Sequence, residues 1–171
     1  MNNAVRLKNL FILFVPSLFL FVFAIFKCGA QNKIENIDTL LKNAQVKYKK
    51  DPGLGIKLAT SAYMAAEDST PQVQIKCIYM ITYFYWGVQD FSNAGKYAEK
   101  GIVVAKEGRI DSLTGDFLVL KGAIDHVGNN YQQAIKSYLN AIPYYNKNGL
   151  QKRIGNTYIN IGICEMKISN Y

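Results

Sequence analysis

Three aromatic residues mark the chain at a constant interval: Phe91, Tyr131 and Tyr171, with 131 − 91 = 40 and 171 − 131 = 40, each directly after an acid or amide, Asp90, Asn130 or Asn170. Three residues past the first two stand Ala94 and Ala134, and nine residues before the three aromatics stand Thr82, Gly122 and Gly162. A fixed period of this length is the mark of stacked supersecondary units. From Ile34 onward the apolar residues keep a helical spacing broken only by short polar turns. Each unit therefore reads as a hairpin of two helices, joined at the Asp or Asn, with alanines that let the second helix nest on the first. One hairpin cannot bury its apolar face alone, so copies must stack. An earlier copy runs through Asp51, Gly55, Ala59, Ala62 and Ala66, with a first helix over 37–49.

Caps and breakers place the helices near 34–49, 52–67, 71–88, 92–107, 112–127, 131–147 and 150–168. Pro52 and Pro71 fall in first turns, where a missing N–H is harmless, and Ser69 or Thr70 is placed to cap the third helix. Gly149 ends the sixth. Pro143 falls inside that helix and is expected to kink it or to end it a turn early.

At 171 residues, half of them apolar, the chain is long enough for one core and a leader. The formal charge is +8, but Arg6, Lys8 and Lys27 lie in the first thirty residues, where no acid occurs. That leaves 17 basic against 12 acidic residues from Gln31 onward, scattered along the chain. Only Lys47, Lys49 and Lys50 cluster, as a solvated helix end does, so a nucleic-acid interface is set aside. Residues 1–30 form the leader. Arg6 and Lys8 precede an apolar run over 10–26 interrupted only by Ser17, and Cys28, Gly29 and Ala30 supply small residues before a cleavage between Ala30 and Gln31. Export to the periplasm or cell envelope follows. The run spans 17 residues, the lower limit for a membrane helix, so an uncleaved signal anchor is the alternative. Cys77 and Cys164 fall on apolar helical stretches as small buried hydrophobes.

The turn and second helix through Asn130, Tyr131, Ala134, Tyr138 and Ala141, with Gly122 before and Ile161 and Gly162 after, resemble the tetratricopeptide repeat family. The resemblance covers residues 37–171 in four units, the last incomplete. The copy around Phe91 departs from it, with Thr82, Ala98 and Gly101 where the family has a glycine, an aromatic and an alanine. The resemblance implies an all-α, right-handed solenoid of antiparallel hairpins, and repeats of 40 rather than 34 residues look like those of bacterial extracytoplasmic sensor regions. It also implies a protein or peptide partner in a concave groove lined by the first helix of each hairpin. The family's groove positions fall on Lys76, Tyr79, Tyr83, Trp86 and Gly87, then on Asp116, Val119, Ala123, His126 and Val127, then on Asn156, Ile159, Ile163, Met166 and Lys167. Tyr79, Tyr83 and Trp86 lie at i, i+4 and i+7, along one stripe.

No constellation for catalysis stands out. His126 and Asp125 are helix neighbours about 100° apart and cannot orient one another, and no phosphate loop, nucleophile elbow or metal-ligand spacing occurs. No enzyme activity, metal or cofactor is expected. Asp125 and Glu165, at equivalent positions, form either a shared polar spot or solvated faces. The chain ends where a fourth unit's second helix would begin, which leaves Ile159, Ile161 and Ile163 on an expected exposed face. A fragment or truncated reading frame is the expectation, in which an effector part is missing. Two functional classes remain: an envelope interaction scaffold or sensory input, and a ligand-free structural remnant of a sensor kinase or transcription regulator.

Overall fold

The computed structural model describes residues 31–169, and every regular element among them is a helix. Helix α1 covers 31–48, followed by α2 (Pro52–Ala65), α3 (Pro71–Gly87), α4 (Phe91–Glu107), α5 (Asp111–Val127), α6 (Tyr131–Lys147) and α7 (Gln151–Ser169). From α2 onward each helix packs on the next in chain order, the neighbour-to-neighbour arrangement of a helical solenoid. No helix among the described residues is long and apolar enough to cross a membrane. The leader, with its proposed cleavage after Ala30, and the terminal Tyr171 lie outside the described residues.

The 40-residue period has a local cause. Gln89, Arg109, Asn129 and Gly149 all have φ between 54° and 65°, in the left-handed region, and they recur every 20 residues. The amide after each reaches back five residues, Asp90 to the Tyr85 carbonyl, Ile110 to Ala105, Asn130 to Asp125 and Leu150 to Tyr145, at 2.8–3.0 Å. This is the Schellman closure of a helix C-terminus. Helices α3 to α6 have 17 residues each, and three-residue links complete the half-period of twenty. Only Gly149 announces its left-handed turn, because elsewhere a side chain accepts the strain of about 1–2 kcal/mol.

Caps divide into those foreseen and those not. The Asp51 carboxylate accepts from the Leu54 amide and Asp90 from the Asn93 amide, both at 3.0 Å, and the backbone and side-chain bonds from Asn93 hold the Asp90 carboxyl below its ordinary pKa. Pro52 and Pro71 open their helices as expected. Thr70 stands at the N-cap of α3 without a side-chain bond; instead the Gln74 amide donates to the Glu67 and Ser69 carbonyls. The anticipated hydroxyl cap is corrected accordingly. Pro143 does not end α6, which runs on to Lys147. It lies on the exposed side, as does Leu139, so the carbonyl deprived of its donor faces water rather than the core.

The departures of the copy around Phe91 are volume exchanges. A Cβ added to Gly122 would stand 2.6 Å from the Tyr138 ring, so the glycine makes room for that tyrosine. At the equivalent places the preceding unit has Thr82 and Ala98, both fully buried, with the bulk moved from the second helix to the first. Gly115 accommodates the Tyr145 ring in the same way, whereas Ile75 and Ala105 share one core cluster in the earlier unit. Gly101 accommodates the Phe117 ring. Close packing conserves the summed volume at a contact more strictly than the residue at either position.

Ala59, Ala62, Ala66, Ala94, Ala134 and Ala141 are all fully buried, as the nesting role requires. Ala134→Leu is therefore expected to destabilise the protein by ~1–3 kcal/mol through overpacking. A denaturant midpoint equal to that of wild type would place residue 134 on the surface and refute the register. Cys77 and Cys164 are free and buried, and burial pushes the Cys77 thiol up to about 11.

Candidate functional site

A cavity of about 770 Å³ opens between α1, α3 and α5. Its floor is built by Tyr48 and Phe84, whose rings stack in parallel with centroids 4.0 Å apart. The Tyr48 hydroxyl donates to the Phe84 carbonyl at 2.9 Å, and burial raises its pKa. Two glycines permit this arrangement. Gly55 lets α2 approach the Tyr48 backbone, and Gly87 leaves room for the Tyr48 hydroxyl. The expected groove position Gly87 thus serves the floor from beneath.

Tyr79 and Tyr83 rise from α3 along one wall, 49% and 63% exposed, with Met80 and Ile75 beside them. Tyr79 meets the Phe117 ring edge-on at 5.9 Å, so it is fixed on one side and free on the other. Gln45 from α1, Lys49 in the turn after it and Gln72 from α3 supply polar groups at the margins. Lys76, at the lip, is paired with Asp38 of α1 at 2.6 Å. On the α5 side Asp116 lines the cavity and is held by Arg153 of α7 and by the Tyr145 hydroxyl of α6 at 2.8 Å. Burial, and then that hydrogen bond, push the Tyr145 pKa upward. Helices α5, α6 and α7 are thereby tied together at the edge of the groove.

Of the expected groove residues, the structure brings together Lys76, Tyr79, Tyr83 and Asp116. Trp86 is not among the lining residues, although its α-carbon lies on the same stripe. Its half-buried ring stands edge-on to Phe91 at 5.4 Å, because the end of α3 packs against the start of α4. Val119 is half-buried against the core around Leu118, and Ala123 is also half-buried. His126 lies edge-on to Tyr131 at 5.5 Å, with its Nδ1 3.8 Å from the buried Cys164 sulfur. That proximity joins positions 38 residues apart, and no spacing motif announced it. Burial raises the Cys164 pKa, which keeps the thiol protonated and unreactive. Among the described residues no group of three or more His, Cys, Asp or Glu side chains is placed to hold a metal.

The α7 positions stand apart. Ile159, Ile163 and Met166 line a separate recess of about 640 Å³ with Gly162 and Glu165, while Asn156, Lys167 and Val127 are simply exposed. Ile161, expected on the exposed face, is 6% exposed and turned into the core around Tyr138. The exposed face is instead Tyr158, Ile159 and Met166. Nor do Asp125 and Glu165 share one polar spot: Asp125 faces Lys121 between α4 and α5, and Glu165 lines the recess on α7. What the sequence reading missed at the main groove are Gln45, Tyr48, Lys49, Gln72, Ile75, Met80, Phe84 and Leu113. Gln45 and Tyr48 belong to α1 and Lys49 follows it directly, where no aromatic-and-alanine mark fixes the register.

No family model matches the chain, and no curated protein matches it. Solved structures do. The apo form of RapI superposes with a TM-score of 0.74 at 18% identity, over 81% of this chain and 39% of that one. Aspartyl phosphate phosphatase F from Bacillus subtilis gives 0.71 at 17%, over 81% and 37%. BtubC (BKLC) from P. vanneervenii gives 0.59 at 13%, over 81% and 66%. At these identities the likeness is one of fold: the chain shares an all-helical repeat architecture with them. It spans about two fifths of the length of the first two.

Proposed function

We propose that this chain is an interaction module of tetratricopeptide type that takes an extended peptide segment of a partner protein in the groove between α1, α3 and α5. The observation that carries the reading is the pair of exposed tyrosines, Tyr79 and Tyr83, standing over a preformed aromatic floor. Large rings fixed on one side and open on the other offer contact area at low entropic cost. Gln45 and Gln72 carry both a donor and an acceptor, which suits them to the backbone of an extended peptide. The fold shared with RapI and aspartyl phosphate phosphatase F supports the architecture of the reading. The phosphatase activity in the latter's name is that protein's own, and the present chain corresponds to 37% of it.

Export is part of the proposal and rests on the leader: Arg6 and Lys8, the apolar run over 10–26, and Cys28, Gly29 and Ala30 before Gln31. The module then works in the periplasm or cell envelope, as a free scaffold or as a sensory input.

Selection of displayed peptides on the purified protein tests the binding. Amide chemical-shift changes caused by a selected peptide are expected on α3 around Tyr79 and Tyr83, and on the Tyr48 end of α1. Changes centred on the opposite face, around the exposed Leu139 and Val103, would sink the groove reading.

A further inference from the structure

The junction between α4 and α5 differs from the equivalent junctions on either side of it. Between α2 and α3 the contact is filled by Ile56, Ile81 and Tyr85, of which Ile81 is fully buried and Tyr85 stacks on Tyr97 at 5.7 Å. Between α6 and α7 it is filled by Ile135 and by Ile161, which is 6% exposed. At the matching places between α4 and α5 stand Gly95 in place of the first isoleucine, Lys121 in place of the second and Asp125 in place of the tyrosine. Ser137 replaces the tyrosine's stacking partner. Four positions that are large and apolar in the unit before are here small or polar.

The consequence is a recess of about 360 Å³ whose lining includes Phe91, Gly95, Lys96, Glu99, Lys121, Ile124 and Asp125. A Cβ on Gly95 would meet nothing nearer than Ile124 at 3.9 Å, so the space beside it is open. The Asp125 side chain is 15% exposed, and its Oδ2 is a buried acceptor without a hydrogen-bond donor among the described residues. The nearest cation, Lys121, is 3.8 Å from that oxygen and sits closer to Glu99, at 3.1 Å. Lys96 is exposed and directs its ammonium only at the Asn93 amide oxygen, at 3.3 Å. A buried carboxylate oxygen without a donor is costly, and a ligand that supplies one relieves the cost.

We propose that this recess is a second site, separate from the groove, that takes a small ligand of amino-acid size by its primary ammonium group. The ammonium donates to the Asp125 carboxylate, the apolar part of the ligand lies on Phe91 and Ile124, and an anionic end reaches Lys96 at the rim. The volume is that of a small-molecule pocket. Burial also raises the Asp125 pKa, against the opposing effects of Lys121 and Ser137 and with a further push from Glu99.

The test uses the full chain and three probes at millimolar concentration: leucine, ethylammonium chloride and sodium acetate. The readouts are the amide shifts of Gly95 and Gly128 and the fluorescence of Trp86, whose ring rests on the lining residue Phe91. Leucine is expected to shift these signals saturably. Ethylammonium is expected to act more weakly on the same amides, since it lacks the group that meets Lys96. Gly95→Ile, which restores the side chain of the neighbouring junctions, should abolish the response with the fold retained. Asp125→Asn should abolish it too, with melting at neutral pH unchanged or raised. Because a raised carboxyl pKa favours the fold only while the group is protonated, the wild type should gain on Asp125→Asn as the pH falls toward 3.8. No response to leucine or ethylammonium overturns the proposal, and so does an equal response to acetate alone or a response that survives in Gly95→Ile or Asp125→Asn.

Discussion

Gly122→Thr, introduced alone, is expected to destabilise the protein by about 3 kcal/mol or more, and Tyr138→Ala alone by ~3–5 kcal/mol. The first drives a branched side chain into a ring that already stands 2.6 Å from where a Cβ would be. The second removes a side chain that is 1% exposed and leaves a cavity at the centre of the largest core cluster. Combined, the two recreate the pair that the preceding unit carries as Thr82 and Ala98. The double variant should therefore be more stable than the sum of the single effects predicts, by at least ~1 kcal/mol in a double-mutant cycle. Simple additivity by urea melts would mean that residues 122 and 138 do not touch, and that volume exchange is the wrong account of the irregular copy.

Tyr79→Ala and Tyr83→Ala are expected to weaken a groove-selected peptide by roughly 30-fold each, equivalent to about 2 kcal/mol, the usual effect of losing a central aromatic anchor. Their melting temperatures should hardly move. Both rings are about half or more exposed, and the Tyr48 and Phe84 floor beneath them does not depend on them for its stacking. Trp86→Phe is the internal control, since Trp86 packs on Phe91 outside the lining of the cavity. Its effect on the peptide should be small. A weakening by Trp86→Phe equal to that of Tyr83→Ala would restore the single continuous stripe that helix spacing suggests.

The helices were legible in the sequence because apolar spacing, two N-terminal prolines and the aromatic-plus-alanine mark all agree on them. The turns were legible only in part. Three of the four left-handed residues are Gln89, Arg109 and Asn129, which carry no glycine signal, so the constant 20-residue spacing of the turns was hidden behind side chains that tolerate the strain. Pro143 does not end α6, and the Leu139 position whose carbonyl it deprives of a donor is exposed, which the local sequence alone does not state. At the groove, the expected α3 positions line the cavity as far as Tyr83. The stripe rule places α-carbons along a face, but the Trp86 ring packs edge-on to Phe91 at the start of α4 instead of lining the groove. Helix α1 was the larger loss: Tyr48 makes the floor of the site, yet it belongs to the unit whose register rests on small residues alone.

The most direct measurement of the central claim is photocrosslinking in the producing cell, with a photoreactive phenylalanine analogue at position 83 in the groove and, separately, at the exposed position 139 on the opposite face. The account predicts a discrete crosslinked partner from position 83, lost when Tyr79 is also changed to alanine, and none from position 139. A partner captured from position 139 and not from position 83 would contradict it.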